Sequence, residues 1–224
     1  MNLRPVYLAG ALTIAISGSA LAVTQAQSQA QTPPRPAAQT APLLAGSTVR
    51  VVVPERQLNA RQGQPVVLRG ALDPATQGQT VELQARSGQR WRNLTSAQTA
   101  SGGGFLLRYA AAEVGSRQLR VRTAGGGYAA SAAAPAGRLT VYRQAIASWY
   151  DDGGQTACGF HAARGVASPT LPCGTHVAFL AGGHRVTAIV DDRGPFVPGR
   201  DWDLDQATAG ALGFGGVGPV WSSA

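Results

Sequence analysis

The stretch HVAFLAGGHRVTAIVDDRGPF, residues 176–196, decides the fold class. Its apolar runs His176–Leu180 and His184–Val190 flank Ala181-Gly182-Gly183, the turn chemistry of a hairpin. Val186, Ala188 and Val190 fall on one face, the period-2 pattern of a half-buried strand. Asp191-Asp-Arg-Gly-Pro-Phe196 then ends that strand in a sharp turn. Upstream, Ile146-Ala-Ser-Trp-Tyr150 reads as an apolar strand ending in two aromatics, and downstream Gly216–Trp221 reads as a closing strand. Between them, Asp203 with Gln206 three residues later has the capping-box pattern, and Gly213 is a natural C-terminal stop. One short helix is therefore expected among strands.

The chain's two cysteines, Cys158 and Cys173, sit in Thr156-Ala-Cys-Gly159 and Leu171-Pro-Cys-Gly-Thr175, each beside a glycine turn. In an exported chain such a pair reads as a disulfide. Closing that loop is worth about 3 kcal/mol on the chain-entropy model. A catalytic or metal-binding cysteine pair is the rival reading. His161, His176 and His184 lack close ligand spacing such as HxxxH, so neither a metal nor a cofactor is expected.

Further upstream, Thr48–Val53, Pro65–Gly70, Thr80–Arg86, Arg90–Leu94, Phe105–Tyr109, Arg117–Thr123 and Arg138–Tyr142 form short apolar or alternating runs between turn signals. Leu119 and Val121 alternate with Arg120 and Arg122, and Val81, Leu83 and Ala85 share a face. Seven strands in about 100 residues fit an immunoglobulin-like sandwich. The fold class expected is thus all-β: a sandwich over residues 46–143, then a β module over residues 144–224.

Charge separates the same two parts. All 19 basic residues of this 224-residue chain are Arg. Fifteen lie in residues 1–143 against Glu55, Asp73, Glu82 and Glu113, whereas residues 144–224 hold four Arg and seven Asp. The Arg stripes could hold anionic wall polymers or lipid head groups, or be solvated strand faces. With 44% apolar and 13% charged residues, the chain is neither a polyelectrolyte nor wholly disordered.

Residues 1–22 have the three parts of a secretory signal: Arg4, the apolar core Val6–Ile16, and the small-x-small pattern Ala20-Leu21-Ala22. Residues 23–45 are Gln, Ala and Pro-rich and read as an unfolded tether. The chain is therefore expected outside the cytoplasm, secreted or in the cell envelope, with no transmembrane anchor once mature. Nucleic acid is a poor partner for an exported chain, and a monomer is expected.

Ala147-Ser-Trp-Tyr150, Thr156-Ala-Cys-Gly159, Thr170-Leu-Pro-Cys-Gly-Thr175, Asp192-Arg-Gly-Pro-Phe196, Trp202-Asp-Leu204 and Ala211-Leu-Gly213 resemble, in order, the RlpA-like double-psi β-barrel family. The resemblance spans residues 145–222 and implies a six-stranded barrel, similar to the expansin N-terminal and barwin-like domains. It implies peptidoglycan, or another cell-wall polysaccharide, as partner. Some members are lytic transglycosylases.

Two departures bear on activity. Where transglycosylase members carry a Glu after the Thr-Ala-Ser-Gly motif, this chain has Phe160, followed by His161; where they carry a His before Thr-Leu-Pro, it has Ser168. Asp192 is retained. Glycoside cleavage needs a proton donor, and Asp192, Asp203 and His161 are the remaining candidates. The expansin-like reading, binding and wall loosening without hydrolysis, uses Ser148, Asp192 and Asp203 along one groove. Trp149, Tyr150 and Trp202 are its candidate sugar-stacking faces. Asp203 as helix cap and Asp192 as turn residue are the competing roles, which favours Asp192 as the functional acid. Arg193 is expected as an ion-pair partner, and Asp191 and His184 as ordinary surface residues. A barwin-like inhibitor or antimicrobial is the third reading.

Overall fold

A computed structural model describes residues 49–124, 131–151 and 153–224. The expected signal, residues 1–22, and tether, residues 23–45, lie outside the described residues.

The first part of the chain forms two facing sheets. In chain order its strands are β1 (Arg50–Val52), β2 (Arg56–Arg61), β3 (Pro65–Asp73), β4 (Thr80–Ser87), β5 (Arg90–Gln98), β6 (Gly104–Ala110), β7 (Gly115–Thr123) and β8 (Ala133–Tyr150). One sheet is β1-β3-β6; the other runs β8-β7-β4-β5, with β2 parallel to β8 on its far side. Alternation decides which side chains meet between them. Val66, Leu68, Phe105 and Leu107 come from one sheet, and Val81, Leu83, Leu119 and Val121 from the other. The intervening Arg120 and Arg122 point out of this core, as their alternation with Leu119 and Val121 requires.

β2 has no apolar signal in the sequence, because RQLNAR buries little. It is held by backbone pairing with β8 instead. Gly137 makes that approach feasible: its φ is 90°, and a Cβ there would lie 2.0 Å from the Arg56 carbonyl oxygen.

The runs Arg138–Tyr142 and Ile146–Tyr150, expected as two strands, are one continuous strand. No Pro or Gly interrupts residues 138–150, and both halves find partners. β2 and β7 flank the first half, while β12 (Trp202–Asp205) and β13 (Gly218–Ser222) flank the second.

That second half opens a closed barrel. β8, β12, β9 (Gly165–Ala167), β11 (His184–Asp192), β10 (His176–Ala181) and β13 follow one another around the ring, and β13 returns to β8. β8–β12 and β9–β11 are parallel pairs; β10–β11 is the hairpin expected from the sequence. Val166, Val177, Phe179, Val190, Leu204 and Val220 fill the interior. The helix, α1 (Gln206–Leu212), packs beside it and ends at Gly213. No helix of the described residues is long and apolar enough to cross a membrane.

Candidate functional site

The parallel pairing of β12 with β8 sets Asp203 opposite Ser148. Trp202 and Leu204 point into the barrel, so Asp203 between them points the other way. The Ser148 hydroxyl donates to Asp203 Oδ1 at 2.7 Å. The same hydroxyl oxygen accepts from Arg200 Nη1 at 3.1 Å. A carboxylate, a hydroxyl and a guanidinium therefore form one chain of contacts; Ser148, expected to meet substrate, is only 3% exposed and instead positions Asp203 and Arg200, which are half-buried.

Asp203 is not the helix cap. Asp205 is, its carboxylate accepting from the Thr208 amide at 2.5 Å and from the Gly165 amide at 2.6 Å. The helix starts two residues later than the sequence pattern suggested, because Trp202–Asp205 is drawn into the barrel as β12. With Asp205 as the cap, Asp203 is free of the structural duty that favours Asp192 over it.

A β-bulge sets the other carboxylates. Strict alternation after Val186, Ala188 and Val190 would turn Asp192 inward and Asp191 outward. The register between β11 and β9 shifts between Val190 and Asp192, which reverses them. Asp191, expected at the surface, is only 1% exposed. It accepts the amides of Ala162 and Val166 at 2.9 and 3.1 Å. Burial pushes its pKa above the usual carboxylate range, with the nearby Asp205 charge adding to the rise and the backbone amides opposing it.

Asp192 now pairs in register with Ala167, and Ala167 pairs on its other side with Asp203. Ser148, Asp203, Ala167 and Asp192 thus stand in one row across four adjacent strands. Strand spacing puts the Asp203 and Asp192 backbones about 10 Å apart. Asp192 is half-buried, and its Oδ1 accepts the amides of Ala157 and Arg193, both at 2.8 Å. It thereby anchors the loop that carries Cys158, Phe160 and His161.

Cys158 and Cys173 are bonded, with Cα atoms 5.8 Å apart. Arg193, expected in an ion pair, instead donates to the carbonyls of Ser168 and Leu171 at 3.1 and 2.8 Å. Its other guanidinium nitrogen contacts Cys173 Sγ at 2.9 Å. Beside the anchored loop, Gly154, Gln155, Thr156, Gly159, Phe160 and His161 line an open recess of about 450 Å³.

The aromatic candidates divide. Trp149 is 42% exposed and free to offer a face. Tyr150 is half-buried and His161 exposed. Trp202, expected to stack on sugar, is 2% exposed and meets Phe179 edge-on at 5.2 Å between ring centroids. It is core, because residues flanking Asp203 on β12 must face inward. Arg200 had no sequence signal beyond standing three residues before Asp203. Phe160 is 41% exposed, while Ser168 is buried with its Oγ accepting from the Leu171 amide.

The row can recognise a polyhydroxylated chain. Carboxylates accept from ligand hydroxyls, Arg200 donates to ligand oxygens, and Trp149 offers an apolar face to a sugar ring. At the two positions where the resemblance calls for Glu and His, the chain has a phenyl group and a hydroxyl occupied by a backbone amide. Among the described residues no cluster of His, Cys, Asp and Glu could hold a metal ion.

No curated protein matches this chain. A solved chain from work titled "Structural basis of T cell specificity and activation by the bacterial superantigen toxic shock syndrome toxin-1" aligns with a TM-score of 0.34 and 12% identity, covering 42% of this chain and 98% of that one. Residues 142–221 match the family model described as lytic transglycolase. With the closed six-stranded ring of β8 to β13, this identifies the C-terminal part of the chain as an RlpA-like double-psi β-barrel.

Proposed function

We propose that the barrel binds glycan strands of peptidoglycan along the row Ser148–Asp203–Ala167–Asp192, in an exported, monomeric protein of the cell envelope, and does not cleave them in the lytic manner. The observation that carries this reading is the Ser148–Asp203 hydrogen bond at 2.7 Å with Arg200 against the same hydroxyl. The buried hydroxyl fixes the half-buried Asp203 carboxylate, an acceptor, and the half-buried Arg200 guanidinium, a donor, beside each other. The non-cleaving half rests on Phe160, which offers no proton where the family's transglycosylases carry Glu. The signal-like residues 1–22 and the tether-like residues 23–45 support export. The sandwich, immunoglobulin-like in this proposal, carries the basic arginine faces.

Mass spectrometry of peptide-stripped glycan strands after incubation with the purified protein tests it. Intact strands are the expected product. Strands with 1,6-anhydro ends would instead establish a lytic transglycosylase, with Asp203 the first carboxyl to examine, and reducing ends would establish a hydrolase.

A further inference from the structure

A cleft of about 460 Å³ lies between the sandwich strands β2, β7 and β8 and the barrel hairpin β10–β11. Arg138 projects into it from the sandwich side, and Arg185 and His176 from the barrel side. No Asp or Glu lines it, and neither arginine has a carboxylate partner among the described residues. Elsewhere on the sandwich three acids sit beside arginines: Glu82 with Arg122, Glu113 with Arg117, Asp73 with Arg50. Two guanidinium groups facing one hollow without a counter-charge attract an anion, which they hold through charge-assisted, fork-shaped hydrogen bonds.

The backbone walls behind these arginines are held by contacts of their own. β8 runs unbroken from one side to the other. Arg61 of β2 lies over the Trp221 ring of β13 at 4.3 Å. The Tyr142 hydroxyl donates to Asn59 Oδ1 at 3.1 Å, and the Arg185 guanidinium reaches the same phenol. Ser223 pairs with Ala178 through both its amide and its hydroxyl, at 2.9 and 2.8 Å. A preorganised hollow loses little entropy on binding.

The remaining lining mixes the apolar Ala178 with alcohol and amide groups: Thr187, Gln57, Ser223, and the Ser116–Thr140 hydroxyl pair at 2.7 Å. Such groups match sugar hydroxyls, and the volume is within the range of small-ligand sites. We infer that this cleft binds a carboxylate-bearing sugar, with Arg138 and Arg185 clamping the carboxylate and Thr187 and Gln57 meeting the ring hydroxyls. The choice of N-acetylmuramic acid as that sugar rests on the glycan reading above; the cleft and its acid-sugar chemistry do not.

The test is amide NMR of the full chain titrated separately with N-acetylmuramic acid, N-acetylglucosamine and inorganic phosphate. The acidic sugar should shift amides around Arg138–Thr140 and His176–Thr187 with millimolar affinity, and the neutral sugar should not. Arg138→Gln with Arg185→Gln should weaken that binding about tenfold or more, as loss of charge-assisted bonds demands. Both arginines are exposed, so the variant should keep the wild-type melting temperature. Asp203→Asn should leave cleft binding untouched while weakening retention on glycan strands, so the two readings fail separately. No shift at about 10 mM acidic sugar, far above the affinity expected, would overturn the inference. So would equal binding of the neutral sugar, phosphate alone matching the acidic sugar, or unchanged affinity in the double variant.

Discussion

At the scale of single residues, the row turns on two carboxylates with different duties. Asp192 Oδ1 already serves the amides of Ala157 and Arg193, whereas the bond to Asp203 Oδ1 comes from a side-chain hydroxyl. Removing that hydroxyl should loosen Asp203 and Arg200 together. Ser148→Ala is therefore expected to weaken binding to peptide-stripped glycan by about 1 kcal/mol, some five- to tenfold, the usual worth of one hydrogen bond. Isothermal titration against soluble glycan fragments would measure it. Asp191 carries the pH prediction. Its folded pKa is raised above the unfolded value, so the native state holds the proton more tightly. Stability from this group is complete below about pH 4, the unfolded range, and is lost as pH rises through the folded value. Urea denaturation across that window should show wild type losing stability faster than Asp191→Asn. A slope unchanged by the substitution would mean another group is responsible. That Ser148, Asp192 and Asp203 stand in one row could be read from the sequence, because their flanking motifs are distinctive. The places of Asp191 and Arg200 could not. A bulge inverts the first against its alternation, and the second acts through a contact between residues 52 apart.

At the scale of elements, the barrel is stapled where its strands are shortest. β9 has three residues, Gly165–Ala167, and two buried carboxylates hold it: Asp205 takes the Gly165 amide, and Asp191 takes that of Val166. A Cβ at Gly165 would lie 2.3 Å from Asp191 Oδ2. Gly165→Ala should accordingly destabilise the protein by about 1–3 kcal/mol, the typical cost of overpacking. A melting temperature within a degree of wild type would refute the crowding. The disulfide closes the loop that Asp192 and Arg193 also hold, its two ends 15 positions apart in sequence. Cys158→Ser should cost about 3 kcal/mol, seen in calorimetry as a fall in melting temperature of roughly 6–12 °C. The hairpin β10–β11 and the end of α1 could be read from the sequence because alternation and a terminal glycine are local signals. β2 and β9 could not, since one is polar and the other too short for a period. The start of α1 was misplaced by two residues because Asp203 and Asp205 both precede helical residues, and only strand pairing tells them apart.

At the scale of the whole molecule, a basic sandwich and an acidic barrel share a single strand. The change of charge near residue 143 was visible in composition, but the continuity of β8 was not, because composition is blind to what lies opposite a backbone. If the arginine faces hold the protein on anionic wall polymer, association should fall between about 0.05 and 0.5 M salt, where the screening length contracts several-fold. Salt-insensitive retention would leave the sandwich a spacer. Glycan binding by the barrel row is measured by co-sedimentation with peptide-stripped glycan strands. Wild type should be compared with the Asp192→Asn, Asp203→Asn double variant at fixed salt. Asparagine keeps each Oδ1 as an acceptor, so the loop anchor and the Ser148 contact survive while both charges go. The double variant should show a dissociation constant raised about tenfold or more, with an unchanged melting temperature. Equal affinity of the two proteins would contradict binding through the row.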